Sequence, residues 1–162
     1  MKLIVTLYTV SAAVMAASAA WALDPAAQTF VESIYKPYER SANALGLSDT
    51  KTRRLFTPAT AALILKDRRN AVAQGGGYGR LDVDPFINGQ DWAPTKIDLK
   101  VTDDPQPDRA HATATYTVPE GPGRKVVIGL DLLKTPVGWR VSDIKWQDET
   151  KSLRQLLAQG GQ

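Results

Sequence analysis

Cysteine is absent from all 162 residues, and histidine occurs once, as His111. Without cysteine there is no disulfide, no zinc–thiolate site and no thiol nucleophile. A single histidine leaves a multi-histidine metal centre or a serine–histidine mechanism short of parts. We therefore expect no metal and no cofactor. Excess charge is scarce too, with 20 basic against 17 acidic residues over the whole chain. One of the cations is Lys2, so the chain beyond residue 22 carries only +2. Basic residues interleaved with aromatics, as nucleic-acid binding requires, are not found. The cluster Lys51, Arg53, Arg54, Lys66, Arg68 and Arg69 reads as solvated helix surface.

What is present begins with a leader. Lys2 precedes an apolar run over residues 3–15, and small residues follow up to Ala20-Trp21-Ala22. That order is a secretory signal, with cleavage expected after Ala22. The competing reading is an uncleaved anchor of just sufficient length, but the run is padded with Ala and Ser. Residues 1–22 are thus read as signal peptide and 23–162 as one domain, periplasmic or secreted and not inserted in the membrane. The 140 residues left are enough for a real core.

The first half is helical in pattern. Asp24 and Pro25 suit N-cap and first helical position, and Phe30, Val31, Ile34, Tyr35 and Tyr38 recur on one face. Pro37 predicts a kink or an early end, and Gly46 a stop. Thr57-Pro58 opens a second helix through Ala73, with Leu63, Ile64 and Leu65 inward, closing on Gly75-Gly76-Gly77. The second half alternates instead. Strands are predicted through Ile97, Leu99 and Val101; through Ala110 to Val118; through Val126 to Leu132; and through Trp139 to Trp146. Asp103 to Asp108, Pro119 to Gly123 and Thr135 to Gly138 are turns between antiparallel neighbours. A short helix with Leu153, Leu156 and Leu157 on one face, capped near Asp148 and ended by Gly160, comes last. The class is α+β: N-terminal helices packed on a curved antiparallel meander of about four strands, with a short C-terminal helix.

The most distinctive stretch is Leu81-Asp82-Val83-Asp84-Pro85-Phe86-Ile87-Asn88-Gly89-Gln90-Asp91-Trp92. It resembles the signature of a family of small exported bacterial domains known only as domain of unknown function 3828. The helix from Phe30 to Tyr38, the segment Trp139-Arg140-Val141-Ser142-Asp143-Ile144 and Ser152-Leu153-Arg154 extend the likeness over residues 25–158. The resemblance implies an exported domain with a layout similar to the nuclear-transport-factor-2-like fold, a cone of helices on a curved sheet. It implies no activity.

Read chemically, Asp82, Asp84 and Asp91 suggest a calcium loop, but Phe86 and Ile87 stand where an EF-hand needs oxygen and glycine. The acids are better read as staples on neighbouring backbone amides, around the turn signal Asn88-Gly89. Asp143 shares strand parity with Trp139 and Val141, so an acid pointing into the cone is one expectation; capping a turn or pairing with Arg140 or Lys145 is the other. His111 lies on a polar face with Thr113, Thr115 and Thr117. If that face is concave, it meets Asp143. Tyr35, Tyr38, Trp92, Trp139 and Asp91 are the candidate ligand-binding residues, as aromatic walls and a rim acid. The functional expectation is an exported binding domain for a small molecule or an envelope protein. The alternatives are an envelope inhibitor or immunity-type partner, and an acid–base isomerase or dehydratase using Asp143 with His111 or a tyrosine.

Overall fold

The computed structural model describes residues 24–41, 46–77, 79–89, 94, 96–118 and 123–159. The expected leader, the turn at residues 119–122, Gly160, Asp91 and Trp92 lie outside the described residues.

Asp24 caps helix α1 (Pro25–Tyr35), its Oδ1 accepting the Ala26 amide at 2.9 Å. Ala27, Val31, Ile34 and Tyr35 are its buried stripe. Pro37 ends the regular helix as expected, and the chain tightens into a 3-10 turn (Lys36–Glu39) that buries Tyr38. A helix that hydrophobic periodicity does not predict follows, α2 (Asp49–Leu55), capped by Ser48 on the Lys51 amide. It buries only Thr52 and Leu55, too little apolar pattern to read. Helix α3 (Pro58–Ala73) starts where Thr57-Pro58 places it and buries Ile64 and Leu65, with Leu63 half-buried. It closes through Gly75, Gly76 and Gly77, all at positive φ.

The strands β1 (Asp98–Asp103), β2 (Arg109–Thr117), β3 (Lys125–Thr135) and β4 (Gly138–Trp146) form one antiparallel sheet in sequence order. Helix α4 (Leu153–Ala158) ends the described chain. Its cap is Ser152, in a reciprocal box with Gln155, rather than Asp148, which instead pairs with Arg124 at 3.2 Å.

The inward faces of the strands and the buried stripes of the helices join in one core. β2 contributes three alanines, Ala110, Ala112 and Ala114, before Tyr116. Such small side chains leave the layer to be filled from the helix side by Tyr35, Tyr38, Phe56 and Phe86, each 1% exposed or less. Burying each such ring is worth about 1.5–3 kcal/mol. The opposite sheet face carries Lys100, His111, Thr113, Thr115, Asp131 and Lys145. Among the described residues no helix is long and apolar enough to cross a membrane.

The one irregularity in the sheet decides what β4 presents. Asp131 pairs with Asp143 and Leu132 with Val141, so Ser142 is an extra residue on β4. Strict alternation sends Trp139, Val141 and Asp143 one way and Ile144 and Trp146 the other. The bulge shifts the phase, and all four apolar residues are buried in the core while Asp143 is not among them. The expectation that Asp143 points inward beside Trp139 is therefore corrected, because the extra residue reverses its side. The bulge is also a dock: Ser142 Oγ donates to the Asp131 carbonyl at 3.0 Å, and the Ser142 carbonyl accepts Thr60 Oγ1 at 2.6 Å. The Val141 carbonyl accepts the Thr57 amide at 2.9 Å, fixing the start of α3 to the sheet.

Deleting Ser142 restores alternation and expels one half of β4 from the core, so loss of the cooperative thermal transition is expected. Ser142→Ala keeps the bulge and gives up one hydrogen bond, at a cost of about 1 kcal/mol in urea unfolding. A deletion variant that melts like the parent contradicts this account.

Candidate functional site

The turn at residues 84–89 brings the chemistry together. Pro85 fixes one backbone angle, and Asn88 supplies the left-handed conformation, φ 43°, that closes the turn ahead of Gly89. The Asp84 amide donates to the Gly89 carbonyl at 3.1 Å. Asp84 Oδ1 accepts the Phe86 amide at 2.9 Å, the backbone staple expected of an acid here.

Three aromatic donors from distant elements then fasten this turn into the core. Tyr38 donates to Asp84 Oδ2 at 2.5 Å, Tyr116 to the Ile87 carbonyl at 2.5 Å and Trp146 to the Pro85 carbonyl at 2.9 Å. Phe86 and Ile87 have no exposed surface. Phe86 meets Phe56 at 5.4 Å between centroids and Tyr35 edge-on at 6.3 Å. Tyr35 and Tyr38, expected as walls of a pocket, are thus core aromatics, and Tyr38 carries a polar bond at its tip.

The electrostatics follow from burial. Desolvation raises Asp84 above the usual carboxylate range, and the Tyr38 hydroxyl and the Phe86 amide offset only part of that. Burial, reinforced by the neighbouring Asp84 charge, pushes Tyr38 far above a normal phenol, so Tyr38 acts as a donor and not as a base. Tyr35 is also raised by burial, and its hydroxyl has no hydrogen-bond partner among the described groups.

Asp84 reaches an open groove of about 410 Å³ between α3 and residues 81–84. Leu47, Ile64, Leu81 and Val83 give it an apolar lining, and Asp67, Arg68 and Asp82 the remaining polar groups. Asp67 and Arg68 are engaged by the scaffold. Asp67 accepts the Arg80 and Leu81 amides at 3.1 and 3.2 Å, and Arg68 pairs with Asp49 at 3.0 Å. A side chain on Gly79 would collide with Asp67, its Cβ standing 2.1 Å from Oδ2, so glycine lets the chain pass here.

The other expected residues are elsewhere. Trp139 is 4% exposed and donates to Asp24 Oδ2 at 3.1 Å, while Lys134 bonds the same oxygen at 2.8 Å and lies 5.8 Å over the ring. Lys134 is the main reason Asp24 is held below the usual carboxylate range, and the Ala26 amide adds to it. This is a clasp between α1 and the β3–β4 hairpin. Asp143 Oδ1 accepts the Ile144 and Arg154 amides at 2.9 and 3.0 Å, tying β4 to α4. His111, half-exposed, bridges two carboxylates at 2.9 Å, Nδ1 to Asp131 and Nε2 to Asp104. Lys145 bonds the other oxygen of Asp131 at 2.8 Å. His111 and Asp143 thus share a sheet face with Asp131 between them, while Asp143 lines a second, polar groove of about 560 Å³ with Lys145 and Glu149.

Sequence reasoning missed the pairing of Tyr38 with Asp84 and the role of Tyr116. Asp84-Pro85 and Asn88-Gly89 mark a turn, but nothing in either marks which donors reach it.

Tyr38→Phe removes a hydrogen bond to a charged acceptor, and a loss of about 1.5–3 kcal/mol in denaturant unfolding is expected. Because Asp84 is raised in the folded state, its protonated form is favoured by folding. Its contribution to stability is present below the ordinary carboxylate value and is lost as pH rises through the raised one. Asp84→Asn should flatten that segment of a plot of melting temperature against pH. An unchanged segment would show that Asp84 is not the group responsible.

No family model matches this sequence, and no curated protein matches it significantly. Among solved structures, a protein of unknown function from Bacteroides thetaiotaomicron is similar with a TM-score of 0.46 at 24% identity, over 72% of this chain and 86% of its own. The phospholipid-binding protein from Ralstonia solanacearum, solved in complex with a phospholipid, gives a TM-score of 0.35 at 14% identity, over 82% of this chain and 81% of its own. These are partial likenesses in outline, and neither gives this chain a family or a function.

Proposed function

We propose that this is an exported binding domain of the family that its central segment resembles, and that the groove between α3 and residues 81–84 holds a small ligand. One observation carries the reading. Asp84 is a largely desolvated carboxylate with a neutral phenol and an amide for partners, and it opens on a groove with an apolar lining. A carboxylate in that position gains most from a positively charged or hydrogen-donating group delivered by a ligand. The apolar part of such a ligand lies on Leu47, Ile64, Leu81 and Val83, and Asp82 stands at the rim.

The arrangement favours binding over catalysis. The acid–base reading needs Asp143 and His111 converging on one point. One oxygen of Asp143 is instead engaged by two backbone amides, and His111 is held between Asp104 and Asp131.

Native mass spectrometry of the chain recovered from an envelope fraction tests the proposal. The expected mass is that of residues 23–162 with a small adduct, lost in Val83→Trp, which fills the groove, and weakened in Asp84→Asn. For a cationic ligand, retention should also fall as pH drops through the raised value of Asp84. A bare protein, or an adduct indifferent to both substitutions, removes the groove from consideration. An uncleaved mass removes cleavage after Ala22 and favours the anchored form instead.

A further inference from the structure

We propose that the outer face of α2 and α3 docks the protein on the surface of an anionic phospholipid bilayer. Charge along the chain is segregated rather than absent. Residues 49–73 hold six cations against two acids, a net of +4. The rest of the chain beyond residue 22 holds thirteen cations against fifteen acids. The near-neutral total conceals a basic face.

The structure accounts for the two acids of this segment. Asp49 pairs with Arg68, and Asp67 is turned to the Arg80 and Leu81 amides. Arg53, Arg54, Lys66 and Arg69 are exposed, and none forms an ion pair with an acid among the described residues. The Arg68–Asp49 pair links α2 to α3, so the two sets of cations sit on one joined support. The four strands are more evenly balanced, with the cations Lys100, Arg109, Lys125, Lys134, Arg140 and Lys145 set against the acids Asp98, Asp103, Asp131 and Asp143. The excess over residues 49–73 makes α2 and α3 the more positive surface, the one a negative plane attracts most.

The neighbours of the cations favour a bilayer over an acidic protein. Ala59, Ala62 and Ala73 are exposed along α3 with Lys66 and Arg69. Val72, 73% exposed, is one of two large apolar side chains left in solvent among the described residues. Small apolar groups among unpaired cations suit headgroup depth, where the charge is diffuse and carries no fixed pattern to match. The proposal does not depend on the groove beside residues 81–84.

Co-sedimentation of the purified chain with vesicles of equal parts phosphatidylglycerol and phosphatidylcholine provides the test, with vesicles of phosphatidylcholine alone as reference. Binding is expected to the anionic vesicles only. It should fade as ionic strength rises from about 0.01 to 0.15 M, where screening shortens from about 30 to 8 Å. Each cation removed should weaken it about fivefold, so Arg53→Gln with Arg54→Gln, or Lys66→Gln with Arg69→Gln, loses about 25-fold. Lys100→Gln with Lys125→Gln removes the same charge from the sheet and should leave binding unchanged. Melting temperatures matching the parent confirm that the variants are folded. Equal binding to both vesicle types, or equal loss in the sheet variant, overturns the proposal. So does capture of soluble polyglutamate without capture of anionic vesicles, which makes the partner an acidic protein.

Discussion

The turn at residues 84–89 is the constraint to which the rest of the molecule is fitted. A turn buried among aromatic rings strands its carbonyls unless donors come to them. Here the donors are themselves aromatic: Tyr116 on β2 serves Ile87, and Trp146 on β4 serves Pro85. Tyr38, on the 3-10 turn after α1, serves the carboxylate that heads the loop. Each large side chain therefore does two things, filling the layer and closing a polar account in it. The three bonds also tie one short segment to partners 29, 46 and 61 residues away. Helix layer, turn and sheet are thus held together at one segment, and losing any of the three donors leaves its own acceptor there unsatisfied.

The bulge at Ser142 is the second fixed point and answers a different need. Helix α3 must begin against β4, and its first turn has amides with no helical partner. The extra residue turns the Ser142 carbonyl toward Thr60, while the Val141 carbonyl takes the Thr57 amide. The same phase shift sends Ile144 and Trp146 inward, which places the Trp146 indole under Pro85. The bulge is thus a precondition of one of the three bonds that hold the turn.

Much of this frame was legible in the sequence. Period-two alternation marked four strands, and Asp24-Pro25 and Thr57-Pro58 marked two helix starts within a residue. α2 was not legible because seven residues with one core leucine carry no period; only Ser48-Asp49 hinted at a cap. The side of Asp143 was misread for a deeper reason. Alternation is a parity rule, and a single inserted serine reverses parity without altering composition. Asp82 and Asp84 looked equivalent along the chain, yet only Asp84 meets Tyr38, and a tyrosine 46 positions earlier leaves no local sign of that contact.

Local pattern therefore predicts elements well and polar sites poorly, and the two surfaces singled out here illustrate why. The groove depends on one carboxylate being drawn inward, away from water and from any cation, which is a property of three-dimensional burial. The basic face depends on the opposite event, its two acids being taken up within the fold, Asp49 by Arg68 and Asp67 by the backbone beside Gly79, so that Arg53, Arg54, Lys66 and Arg69 keep no acid among the described residues. A net charge near zero says nothing about either, because folding decides which charges remain to meet a partner. α3 separates the two environments, with Ile64 and Arg68 toward the groove and Lys66 and Arg69 toward solvent. A small donor ligand and an anionic surface would then engage different sides of the same helix, and binding one need not displace the other.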